Sequence, residues 1–73
     1  AHAAAQEVLA IEKIQKHGML DDLPEDLREL AELRLQNPDM SLRELGSQLS
    51  VPLSRSGVHH RLQRILAFAA KLR

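Results

Sequence analysis

With 73 residues, one Phe and no Trp, Tyr or Cys, the chain can build a single small domain, without disulfides, thiol catalysis or a cysteine-based zinc site. Its formal net charge of zero hides an asymmetry: residues 1–40 set four Lys and Arg against nine Asp and Glu, whereas residues 41–73 set six against Glu44 alone. That pattern either orients a polyanion on the basic half or lets the two halves attract one another.

The spacing of apolar residues predicts an all-α domain of four helices, over about 3–17, 24–36, 42–49 and 54–72, with no strand. In the first, Ala4, Val8 and Ile11 form a helical stripe, and Gly18 stands where a left-handed cap belongs, followed by Met19 and Leu20. Leu9 lies off that stripe. The second helix is expected to start with Pro24 as its first helical residue, with Asp22, Glu25 and Asp26 at the positive end of the dipole. Leu27, Leu30 and Ala31 face inward, and Asn37-Pro38 ends the helix because proline disfavours α geometry in the residue before it.

Ser41-Leu42-Arg43-Glu44 reads as a capping box, flanked by Met40 and Leu45 as a hydrophobic staple. The third helix then turns Leu42, Leu45, Gly46 and Leu49 inward. Ser50-Val51-Pro52-Leu53 is a turn, and a fourth helix follows with Val58, Leu62, Ile65, Ala69 and Leu72 on one stripe.

The last two helices read as a helix-turn-helix. A glycine inside a helix costs about 1 kcal/mol relative to alanine, so Gly46 calls for a reason. A steep, close crossing by the fourth helix supplies one; the alternative is a tolerated glycine in an ordinary bundle. With Val58, Leu62 and Ile65 in the core, 100° steps turn Ser56, His60, Gln63 and Arg64 outward and place Arg55, His59 and Arg61 on the flanks. No carboxylate lies on this face. Its hydroxyls, guanidinium forks, imidazoles and amide are groups that bond phosphates and base edges, although a plain solvated face is the alternative.

His60 and Arg64, then Gln63 and His59, are the base-edge candidates. Ser41, Arg43, Ser54, Arg55, Ser56 and Arg61 are the phosphate candidates, and Gly57 would allow a close approach to the groove. His59 and His60 point about 100° apart on a helix and form no metal pair. No phosphate loop, paired carboxylate site or nucleophile–base pattern is visible, so no enzyme, cofactor or small-molecule substrate is expected. One Phe makes no stacking platform, which argues against single-stranded nucleic acid. No apolar run approaches the roughly 20 residues of a membrane span, and the start lacks a basic leader, so a soluble cytoplasmic protein is expected.

Leu23-Pro24-Glu25-Asp26-Leu27-Arg28-Glu29-Leu30-Ala31, Asn37-Pro38, Ser41-Leu42-Arg43-Glu44-Leu45-Gly46 and the stretch from Ser54 to Leu62 resemble the C-terminal domain of WhiA. That family comprises bacterial transcription regulators linked to sporulation and cell division. The resemblance covers nearly the whole chain, and Ser54 to Leu62 is its more specific part; Ser41 to Gly46 also matches the promoter-reading domain of sigma factors. It implies a C-terminal part of a larger regulator, preceded by an endonuclease-like domain without nuclease activity, with Ala3 to Gln6 as the tail of a linker. It further implies promoter binding with RNA polymerase holoenzyme, no cofactor, and a location at the bacterial nucleoid. Two positions depart from the family pattern: His59 stands where Asn is usual, and Gln63 where a basic residue is usual. The first weakens the case for a base contact at His59, and the second removes about one phosphate contact. The expected function is sequence-specific binding of double-stranded DNA; the rival is a protein-interaction module docking on a sigma factor or polymerase.

Overall fold

Gly18 adopts φ 67°, a left-handed conformation that costs other residues about 1–2 kcal/mol. Its N–H donates to the Gln15 carbonyl at 2.9 Å and that of Met19 to Ile14 at 3.1 Å, the paired bonds of a Schellman cap. They close helix α1, His2–Lys16. The computed structural model describes residues 2–72, with side chains from Ala4 onward. Arg73, counted above in the basic half, and the side chain of Ala3 lie outside the described residues.

A short 3₁₀ turn, Leu20–Asp22, leads into helix α2, Glu25–Gln36. Pro24 sits one position earlier than the sequence suggests: it is the N-cap, with ψ 148° and no side-chain cap bond. Its carbonyl accepts from the Arg28 N–H at 2.9 Å and opens the helix in place of a side-chain cap. Asn37 closes α2, its side-chain amide donating to the Leu33 carbonyl at 3.0 Å.

Helix α3, Leu42–Gln48, begins with both halves of the capping box. The Glu44 N–H donates to Ser41 Oγ at 3.1 Å, and the Ser41 N–H donates to Glu44 Oε1 at 3.3 Å. Helix α4, Arg55–Ala70, is capped by Ser54, whose Oγ accepts from the Gly57 N–H at 3.2 Å. No strand occurs among the described residues.

α4 packs against each of the other three helices. Its Val58, Leu62, Ile65 and Ala69 meet Leu27, Leu30 and Ala31 of α2, Leu45 of α3, and Leu49 in one buried core. Leu72 lies beyond the helix end and is half-buried.

The stripe on α1 differs from the expected one. Ile11 and Ile14 are fully buried and Glu7 nearly so, whereas Ala4 and Val8 are only half-buried. The cause is Arg34 of α2, 2% exposed, whose Nε lies 3.0 Å from Glu7 Oε1. A buried guanidinium requires a counter-charge, and α1 turns Glu7 rather than Val8 inward to supply it. The ion-pair contact is close but not aligned as a hydrogen bond. Arg34 Nη1 donates to three carbonyls of the α2–α3 loop: Asn37 at 3.3 Å, Pro38 at 3.1 Å and Met40 at 2.7 Å. One side chain thus shapes the segment that delivers Ser41 to its capping position.

Candidate nucleic-acid interface

The α3–α4 crossing depends on Gly46. A Cβ placed there would lie 2.2 Å from the Leu53 carbonyl oxygen and 3.1 Å from Val58 Cγ2. The Leu53 N–H also donates to the Gly46 carbonyl at 3.1 Å, so the turn folds back onto the backbone of α3. A second tie comes from α2: the Ser50 N–H donates to Glu29 Oε2 at 3.1 Å, and the Ser50 hydroxyl donates to the same oxygen. The turn is therefore anchored at both ends, and α4 is held in a fixed direction across α3.

With Val58, Leu62 and Ile65 buried, Ser56, His60, Gln63 and Arg64 emerge exposed on the outer side of α4, as do Arg55 and His59 on one flank. Among the described residues, the side chains of Arg43, Arg55, His59, His60, Gln63 and Arg64 have no hydrogen-bond or ion-pair partner. α4 itself carries no Asp or Glu. The outer face thus presents unneutralised cations and open hydrogen-bonding groups, the chemistry of a surface for a polyanion.

The structure sorts the candidates further. Arg61, expected on the flank as a phosphate ligand, turns toward α2 and lies 3.8 Å from Asp26 Oδ2, about three-quarters buried. It joins the acidic and basic halves of the chain rather than the outer face. Ser41 and Ser54 use their oxygens as acceptors in caps, which leaves each hydroxyl hydrogen free to donate. Gly57 is not required by the fold: a Cβ there would meet Leu53 side-chain atoms at 3.5 Å and Ser54 Oγ at 3.6 Å, ordinary contact distances.

The Glu7–Arg34 pair was not read from the sequence. The only available sign was an arginine on the inward side of α2, four residues after Leu30 and three after Ala31. Among the described residues, no group of three or more His, Cys, Asp or Glu could hold a metal ion. No described helix is long and apolar enough to cross a membrane.

The crossing of α3 and α4, the tied turn and the outward acid-free helix define a helix-turn-helix domain. Residues 1–69 match the family described as the WhiA C-terminal HTH domain. The chain belongs to that family. It is 48% identical over 71 residues to the probable cell division protein WhiA of Clostridium tetani, covering 97% of this chain and 22% of that protein. It is 49% identical over 72 residues to the protein of the same name from Caldicellulosiruptor saccharolyticus, covering 99% and 22%. The crystal structure of full-length WhiA from Thermatoga maritima superposes with a TM-score of 0.91 at 40% identity, over 100% of this chain and 25% of that one. The chain therefore spans between a fifth and a quarter of the length of these relatives.

Proposed function

We propose that this domain binds double-stranded DNA by inserting α4 into the major groove, as the DNA-recognition part of a larger transcription regulator. The observation that carries the reading is the outer face of α4, where Arg55, His60 and Arg64 are exposed and unpaired and no carboxylate stands among them. His60 and Arg64, four residues apart on the outward row that Ser56 begins, suit base edges. Arg43 and Arg55, with the Ser41 and Ser54 hydroxyls, suit phosphates on the bordering strands. Promoter DNA would be the target, in the bacterial cytoplasm. Sporulation and cell division are the processes that the family resemblance suggests.

Titration of a labelled duplex at increasing salt tests this. Neutralising about five phosphates gives a slope of log K against log salt near −4 to −5. Arg64→Ala is expected to cost about 1–3 kcal/mol on the preferred sequence and to relax discrimination there. Arg55→Ala is expected to weaken all sequences alike and to flatten the slope by about 1. Absence of duplex binding at low salt, by this chain and by the full-length regulator, would remove the proposal.

Gly57→Ala separates binding from folding. There is room for the methyl, and helix propensity favours alanine by up to about 1 kcal/mol, so thermal stability is expected to hold or rise. If the helix end approaches DNA backbone closely, duplex affinity falls in the same variant. A more stable variant with unchanged affinity would show that Gly57 faces open space in the complex.

One observation favours a second reading, a protein-interaction surface for a sigma factor or polymerase. Leu9 is 65% exposed and borders a groove with Val8, Leu42 and Leu66. Tight binding to polymerase subunits, unaffected by Arg64→Ala, would support it.

A further inference from the structure

His59 and His60 are neighbours in sequence but face different surroundings. His60 belongs to the outward row with Ser56 and Arg64. His59 lies one turn beyond Arg55, on the flank that faces α3. There Leu42, Arg55, Ser56 and His59 line a cleft of about 290 Å³, which shares Leu42, Arg55 and His59 with a longer groove of about 940 Å³. The cleft brings together a guanidinium, a hydroxyl and an imidazole, all without partners among the described residues.

We propose that Arg55, Ser56 and His59 form a seat for one DNA phosphodiester, and that duplex binding is proton-linked through His59. The proposal rests on the duplex reading above and assigns His59 to the backbone instead of to base edges. A phosphodiester offers acceptors only. The protonated imidazole has two N–H donors, whereas the neutral ring has one donor and one acceptor. A phosphate beside Arg55 and Ser56 therefore prefers the charged ring, and binding draws a proton onto His59. Imidazole changes charge within roughly pH 5 to 8, so affinity gains from this seat at low pH and loses the gain as pH rises. Since phosphates carry no sequence information, the effect is the same on any duplex.

Few other charges face the cleft. α4 contributes Arg55 and, on the next face, His60. At the start of α3 stand Arg43 and Glu44, with Glu44 Oε1 accepting from the Ser41 N–H at 3.3 Å. The longer groove adds Asp39 from the α2–α3 loop, exposed, and Glu7 of α1, buried against Arg34. No carboxylate lines the cleft itself.

The test is fluorescence anisotropy of a mixed-sequence duplex with the 73-residue chain, at about pH 6 and pH 8 and fixed ionic strength. Wild type is expected to bind on the order of three- to tenfold tighter at the lower pH. His59→Gln should lose that gain, so that its affinities at the two pH values converge, while His60→Ala, whatever it costs in affinity, should retain the gain. Both residues are exposed, and melting curves at each pH verify that the variants are folded. Adding duplex should also move the NMR titration midpoint of the His59 ring proton to higher pH. A His59→Gln variant that keeps the full gain, or a His60→Ala variant that loses it, overturns the seat. Duplex binding without any pH dependence sinks this inference alone; no duplex binding at any pH sinks the parent reading with it.

Discussion

Arg34→Ala is expected to lose about 3–5 kcal/mol of stability, because it leaves the Glu7 carboxylate buried without its counter-charge. A domain of this size holds roughly 4–11 kcal/mol in total, so the variant sits at the edge of folding. The loss has two parts that a small variant set separates. The first is the stranded charge, which Arg34→Met combined with Glu7→Leu removes by making the contact apolar. The second is the loop, whose carbonyls at Asn37, Pro38 and Met40 lose their donor in either variant. The double variant should therefore recover part of the stability, while DNA binding recovers less, since the loop that sets Ser41 stays unclamped. Arg34→Lys should rescue poorly, because one ammonium cannot reproduce a planar fork that faces a carboxylate and bonds several carbonyls at the same time. Urea denaturation measures all of these. An Arg34→Ala variant within 1 kcal/mol of wild type, a bound set well below the cost of breaking a buried ion pair, would show that the pair is not a structural strut.

The second large effect belongs to Gly46. Alanine is the better helix former, yet its methyl would sit 2.2 Å from the Leu53 carbonyl oxygen, which must move. The obstacle is backbone, tied back by the Leu53 N–H to the Gly46 carbonyl at 3.1 Å, and it cannot swing aside as a long side chain would. Overpacking of this kind costs about 1–3 kcal/mol. For a domain of this size each kcal/mol shifts the melting temperature by roughly 4–8 °C, so a drop of about 5–20 °C is expected. The displacement also re-aims α4, and duplex binding should fall further than the population of unfolded chain explains. Gly57→Ala is the matched control: the same substitution, one turn into α4, in ordinary contact distance of its neighbours. Equal melting temperatures for the two alanine variants would show that the crossing tolerates a methyl and that Gly46 has another role.

Both predictions turn on residues whose importance the sequence displays unequally. Gly46 is conspicuous, because a helix-breaking residue inside a capped helix asks for an explanation. Arg34 is not, because an arginine on a helix ordinarily reaches solvent. Its burial follows from Glu7, 27 positions earlier, and from three carbonyls of the loop just ahead. No periodicity links those groups. The same holds for Arg61, which the pattern of α4 places on a flank but which only the position of α2 turns toward Asp26. Among the candidates for the interface, the outward row of Ser56, His60 and Arg64 was legible from helical geometry. The separation of His59 from His60 by surroundings was not, since it depends on where the start of α3 comes to rest.

Read alone, the sequence determined the capped helix ends to within a residue, because caps act within a few residues: Gly18, Asn37 before Pro38, Ser41 with Glu44, and Ser54. Where no cap stands it did less well, drawing Pro24 into α2 and carrying α4 two residues past its end at Ala70. It also determined which face of α4 points outward and that this face bears no acid, because 100° steps and residue type are enough for that. The tertiary structure alone decided which charges are neutralised. Pairing depends on the approach of helices distant in the chain, and a buried ion outweighs local apolar spacing, as when α1 turned Glu7 inward in place of Val8.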